Sequence, residues 1–258
     1  MIKSLYKCFR HWSSTGSVYI ISDPHFMDTD MNWRASLIPT IDIEEKYYPD
    51  KRAAQIAEYL VEKINKVCNK NDTLIILGDI GDISYIPKLK AGYKVLIKGN
   101  HDLGSSKYKR QQNKINTTLA TNITEARKMV ENTVDFYLTD FYKTDNTIGY
   151  EPVYNILLDN KLFDEVYEGP LFISDRILLS HEPIVVVPPC CLNIHGHTHS
   201  ELNDESDGFM CVCCEKIGFT PINLGEYIKN GAISDINSIH RFTIDRATTN
   251  KKNKEKNV

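Results

Sequence analysis

Apolar residues in this chain gather in short runs that end abruptly in polar ones. VYIIS at 18–22, TLIIL at 73–77, KVLIK at 94–98 and RILLS at 176–180 are rich in β-branched and aliphatic residues, the form of strands buried on both faces. Between the first two lies DKRAAQIAEYLVEKINKVC, Asp50 to Cys68, in which Ile56, Leu60, Ile64 and Val67 recur at three and four with Asp50 at the N-cap position. That spacing predicts a helix. Strand, helix and strand in alternation predict an α/β fold with a largely parallel sheet. Ile2, Leu5, Tyr6, Phe9 and Trp12 also fall at helical spacing, so a short amphipathic helix is expected in an N-terminal extension, residues 1–17. From about 105 to 170 no single period holds; this polar, partly helical stretch reads as a cap-like insertion in a domain spanning 18–245. The polar end, 246–258, is expected to be disordered.

Composition narrows the classes. Hydrophobic residues make up 41% of the 258, charged residues 25%, and the net charge is −3, which excludes a globally basic nucleic-acid binder. No apolar run approaches the roughly 20 residues of a membrane span. The basic N-terminus lacks the apolar core of a secretory signal; a packed helix is the expectation for it, with an organelle transit peptide as the alternative. Seven cysteines, an odd number with two adjacent pairs, do not form a secreted disulfide framework, so reduced thiols in the cytoplasm are expected.

The residues at the end of each apolar run carry the chemistry. Asp23-Pro24-His25 comes after the first, Gly78-Asp79 after the second, Gly99-Asn100-His101-Asp102 after the third and His181-Glu182-Pro183 after the fourth. A further run leads into LNIHGHTHS, which holds three of the chain's 8 histidines and ends in Gly196-His197-Thr198-His199. Each motif alone reads equally as a surface turn. Five strand ends in succession, all with Asp, Asn or His, converge on one edge of an α/β sheet, where ligands bind. In an extended segment positions i and i+2 face the same way, so His197 and His199 can share a site while Gly196 admits a close turn.

In this order the motifs resemble the calcineurin-like metallophosphoesterase superfamily, nearest to its small bacterial and phage-type members, from Val18 to about Leu224. GFTPINL, Gly218 to Leu224, is similar to a stretch those members carry after the last histidines. The resemblance implies a central β-sandwich flanked by helices and a dinuclear centre. Asp23, His25 and His199 would hold one ion, Asn100, His181 and His197 the other, with Asp79 bridging. It implies two divalent ions, Mn²⁺ first, with Fe²⁺, Zn²⁺ and Co²⁺ as alternatives, and a bridging hydroxide as nucleophile. His101 resembles the family's catalytic histidine, with Asp102 orienting its ring. His195 has no metal role in the pattern and is expected to be structural.

Several residues depart from the pattern. Gly78-Asp79-Ile80-Gly81-Asp82-Ile83-Ser84 lacks the arginine of the protein-phosphatase branch; Arg34 is either its substitute at the phosphate or a surface residue. Lys107, Lys109, Arg110, Lys114, Arg127 and Lys128 make the insertion basic, either for a multiply phosphorylated substrate or as a solvated helix face. Tyr137, Phe141, Tyr142 and Tyr150 read as a small core for that cap, with base stacking as the alternative. Cys211, Cys213 and Cys214, beside Cys190 and Cys191, read as small buried apolar residues rather than a zinc site. The expected function is hydrolysis of a phosphodiester or another small phosphorylated or nucleotide substrate. A nuclease of the same superfamily and a metal-free scaffold are the rivals.

Overall fold

The computed structural model describes residues 2–42, 48–102, 162–167, 169–185, 187, 191–199 and 208–231. Two sheets form the centre. The first joins β1 (Val18–Ile21), β2 (Thr73–Ile76), β3 (Tyr93–Ile97), β4 (Glu165–Tyr167) and β9 (Ile222–Asn223) in the order β4-β3-β2-β1-β9. The second joins β5 (Leu171–Phe172), β6 (Ile177–Leu179), β7 (Leu192–His195) and β8 (Phe209–Cys211) in sequence order. β1 to β4 run parallel, with Val18 opposite Thr73 and Thr73 opposite Tyr93, so their carboxyl ends lie along one edge. β6, β7 and β8 are parallel too; β9 and β5 are the antiparallel edges.

Alternation along the strands builds two cores. Val18, Ile20, Ile75, Leu77, Val95 and Ile97 face the second sheet and meet Ile177, Leu179, Leu192 and Ile194 there. Ile21, Leu74, Ile76 and Leu96 face the other way, onto Ile56, Leu60 and Ile64 of α1 (Pro49–Val67). The architecture is therefore the expected α/β sandwich with helices outside.

α1 begins one residue before the predicted N-cap. Pro49 occupies the first turn, where a missing N–H is harmless, and Asp50 lies inside it, favourable to the helix dipole. At the N-terminus the helix is a 3-10 helix, Lys7–Ser13, which together with Leu5 buries Phe9 and Trp12 against the sandwich. Tyr6 stays exposed. Residues 162–167, expected to fall in the insertion, belong to the sandwich: Glu165–Tyr167 pairs with Val95–Ile97 as a strand of the first sheet, and Leu162 and Phe163 are buried in its core. Its basic and aromatic residues between 105 and 161, and the tail from 232, lie outside the described residues.

Two 3-10 helices frame the strand ends. Thr29–Leu37 follows β1, with the Asp28 side chain accepting from the Asp30 N–H, and Ile83–Lys88 follows β2, with Asp82 accepting from Ser84 N–H. A short helix, α2 (Leu224–Lys229), closes the described chain and is capped by Asn223.

Candidate metal centre

The carboxyl ends of β1, β2, β3, β6 and β7 bring all seven predicted ligands to one edge. Asp23, His25, Asp79, His197 and His199 all have φ between 45° and 70°, the left-handed region that non-glycine residues avoid. Each such residue costs roughly 1–3 kcal/mol and persists only where its surroundings fix it. Main-chain bonds do so here: Asp23 N–H donates to Gly78 O, and His25 N–H to Asp79 O. Gly99 packs so closely that an added Cβ would lie 2.3 Å from Asp79 Oδ1.

The donor atoms form two groups that share Asp79. In the first, His25 Nε2 lies 3.8 Å from Asp23 Oδ1 and 3.5 Å from Asp79 Oδ2, and His199 Nε2 lies 3.6 Å from Asp23 Oδ1. In the second, His181 Nε2 lies 3.4 Å from Asp79 Oδ2, 2.7 Å from Asn100 Oδ1 and 3.2 Å from His197 Nδ1. Atoms bound about 2.1 Å from one ion stand roughly 3.0–3.5 Å apart, so both groups are close to the spacing a cation imposes. Asp23 Oδ1 and His25 Nε2 are buried and have no hydrogen-bond partner. Buried polar atoms are seldom left so. A cation between them is the partner that this donor set fits.

Outward contacts fix which ring nitrogen faces the centre. His181 Nδ1–H donates to Leu77 O at 2.8 Å, and His25 Nδ1–H to Asp28 Oδ2 at 3.2 Å, leaving each Nε2 lone pair directed inward. Asp23 Oδ2 accepts from Ser22 Oγ at 2.5 Å, His197 N at 2.9 Å and Cys213 Sγ at 3.2 Å, which turns Oδ1 toward the centre. Burial acts to raise the Asp23 and Asp79 carboxyls. His25, His181, His199 and Ser22 outweigh it at Asp23, and His181 at Asp79, so both are held below the ordinary range. Burial opposes protonation of both rings, but Asp23, Asp28 and Asp79 push His25, and Asp79 and Asp23 push His181, up to about 9 without metal.

A family model, calcineurin-like phosphoesterase, matches residues 16–201. The chain belongs to this family. All seven predicted ligands lie inside the matched span, and the family's dinuclear centre fits the two groups of donors. The chain is accordingly a metal-dependent phosphoric ester hydrolase. A crystal structure of a protein of unknown function from Aquifex aeolicus is similar over 83% of this chain and 98% of that one, with 21% identity and a TM-score of 0.44. Comparison with curated proteins gave no match.

Around this phosphoesterase centre two expectations change. Asp102 is buried, but its carboxylate is taken up by main chain: Oδ2 accepts from Asp79 N and Gly99 N, each at 2.8 Å, and Oδ1 from Ile80 N at 3.1 Å. It therefore ties two ligand loops together rather than holding the His101 ring. Arg34, expected at the phosphate or on the surface, is at neither. It is fully buried; Nη2 meets Glu215 Oε2 at 2.7 Å and donates to Asp23 O at 2.9 Å, and Nη1 donates to Pro24 O at 3.2 Å. His101 stands at the open side, 48% exposed, its N–H donating to Asp79 Oδ1 at 2.9 Å and its Nε2 3.9 Å from Asp79 Oδ2. His195 is buried in β7 and donates through Nδ1 to Gly196 O, a structural position.

Three residues near the centre are not evident from the sequence: Asp28, Cys213 and Glu215. Asp28 lies three residues after His25, a spacing that could have flagged it. Cys213 and Glu215 follow β8, whose extension pairs with β1 through Ser22 and Cys213. Cys213 falls with Asp23 and His199 in a group whose donor atoms all lie within 4.8 Å of one another. No local pattern announces that long-range pairing.

Proposed function

We propose that the chain hydrolyses a phosphodiester in a small, nucleotide-like substrate, using two divalent ions, Mn²⁺ first among them. The observation that carries the diester reading is Arg34. A monoester dianion gains most from a fixed guanidinium, and Arg34, nearest the ligands among the described arginines, is taken up by Glu215 and by main-chain carbonyls. A diester carries one charge fewer and asks less of the site. The bound ions would supply positive charge for phosphoryl oxygens and acidify water.

The chain's own residues do the rest. Asp23, His25, Asp79 and His199 would hold one ion, and Asp79, Asn100, His181 and His197 the other. His101, half exposed beside Asp79, would give a proton to the leaving oxygen. The Asp79 carboxylate fixes its main chain, and the imidazole stays at the open side with its ring 5.3 Å from that of His25. The six described cysteines are free thiols, which suits a reducing compartment and supports the cytoplasmic reading.

The test is Mn²⁺-dependent hydrolysis of bis(4-nitrophenyl) phosphate and of 4-nitrophenyl phosphate by wild type and His101→Ala. Diester cleavage exceeding monoester cleavage, and falling at least about 100-fold in the variant, is expected. Monoester cleavage alone would defeat the diester reading. Degradation of DNA or RNA faster than of small diesters would favour a nuclease instead.

A further inference from the structure

Three side chains from distant parts of the sequence meet behind the first ion position: Arg34, His199 and Glu215. We propose that the Arg34–Glu215 pair is a positioning device for His199, fixing its proton on Nδ1 and its ring so that Nε2 faces the first ion. The inference rests on the metal-centre reading above and adds residues to it; Glu215 lies beyond the span that the family model matches.

The geometry decides where the proton sits. His199 Nδ1 is 2.9 Å from Glu215 Oε1 and 3.4 Å from Arg34 Nη2. A guanidinium only donates and an ionised carboxylate only accepts. An unprotonated Nδ1 would face the nearer carboxylate lone pair to lone pair, so Nδ1 carries the proton and donates to Glu215. Arg34 Nη2, 2.7 Å from Glu215 Oε2, sets a guanidinium against the other oxygen of the same carboxylate. The remaining nitrogen, Nε2, then keeps its lone pair for the ion and lies 3.6 Å from Asp23 Oδ1.

His199 needs such a device more than the other ligands of the first ion do. Its side chain is 23% exposed, against 2% for His25 and Asp79 and 0% for Asp23, so within that group packing alone leaves its ring the most freedom. The pair also couples separate elements. Arg34, on the Thr29–Leu37 helix, grips the carbonyls of Asp23 and Pro24, between two left-handed ligand residues. Glu215 arrives from the turn after β8, positioned by Cys214 N–H donating to Ser22 O at 3.1 Å. One ion pair thus holds the first ligand loop and the last histidine in register. Buried ion pairs are a weak source of stability compared with apolar packing. Specific orientation is what this one supplies. A carboxylate on the outer nitrogen also strengthens the imidazole as a donor.

The experiment is Mn²⁺ and Zn²⁺ titration of the metal-stripped full chain by calorimetry, with bound ions counted by mass spectrometry, for wild type, Glu215→Ala, Glu215→Gln and His199→Ala. Glu215→Ala is expected to weaken one ion by about 10–100-fold and leave the second within a few-fold. Glu215→Gln, which keeps an acceptor for Nδ1–H, should recover part of that loss. Nitrogen-15 NMR of the Zn²⁺-loaded wild type should show a protonated Nδ1 at His199 that Glu215→Ala loses, a signature that a merely structural role would not move. If Glu215→Ala fails to fold, the Gln variant and the wild-type tautomer decide. Wild-type affinity in both Glu215 variants, with one ion lost in His199→Ala, overturns the inference alone. Two ions retained by His199→Ala would overturn the metal-centre reading with it.

Discussion

Replacing Asp102 separates two accounts of how its neighbour His101 is supported. If Asp102 orients the His101 ring, Asp102→Asn should reproduce His101→Ala: turnover falls while fold and ions are kept. The contacts point elsewhere, since both oxygens accept main-chain N–H groups of Asp79, Ile80 and Gly99 and the side chain is buried. An asparagine keeps one acceptor oxygen and sets an amide donor against at least one of those N–H groups. Leaving one buried donor unsatisfied costs about 1–3 kcal/mol. For a chain of this size that lowers Tm by roughly 2–10 °C. Asp102→Ala strands three donors and should remove a large share of the roughly 5–15 kcal/mol that keeps a domain folded. Because Asp79 joins both donor groups, ions should leave as the loop loosens. The assay is calorimetric Tm, ion content after gel filtration, and kcat on a diester, all beside His101→Ala. An Asp102→Asn protein with wild-type Tm and two ions, but with the turnover of His101→Ala, would refute the main-chain role.

Three further outcomes are expected. Gly196→Ala places a Cβ 1.9 Å from Ser22 Oγ and 2.2 Å from Asp23 Oδ2, so Asp23 must move; stability should drop by about 1–3 kcal/mol or more and ion content with it, and unchanged ion content by mass spectrometry would contradict this. His25 and His181 have folded pKa values raised from 6.5 to about 9 without metal, so the stability they add is complete below pH 6.5 and lost as pH rises toward 9. Thermal melts of stripped protein should therefore fall in Tm across that window, and loaded protein should not, because ions replace those protons; a rising Tm would refute the sign. Ile194→Ala opens a cavity between the sheets and should cost about 2–5 kcal/mol in urea unfolding, whereas a loss under about 1 kcal/mol would deny that Ile194 fills the inter-sheet core.

Residues 18–21, 73–76, 93–97 and 177–179 are strands where the apolar runs predict them, and α1 covers the residues whose three-and-four spacing points to it. These are local signals. A strand buried on both faces must be apolar throughout, and a helix on a sheet must be apolar on one side. The ligands are legible for the same reason, because each comes directly after such a run and the sheet gathers their ends. β4, β5 and β9 leave no such signal, being only two or three residues long and held by pairing rather than by composition. At the N-terminus Leu5, Phe9 and Trp12 suit an α-helix and a 3-10 helix alike, and only the packing selects the tighter winding.

Arg34 and Asp102 show the limit of reading a residue's role from its neighbours in sequence. Proximity to ligand motifs suggests a role for each, and both do lie near the ligands. A charged side chain, however, takes its role from what desolvates it. Once Arg34 is fully buried, its charge must be met by Glu215, far along the chain, and the guanidinium is withdrawn from solvent and so from a substrate arriving there. Asp102, buried among N–H groups of two loops, is held by them and cannot also turn a half-exposed ring. His101, which stays exposed at the carboxyl end of β3, keeps its ring for what arrives from solvent. Burial thus divides the polar residues at this edge into those that hold the site and those that can act on a substrate.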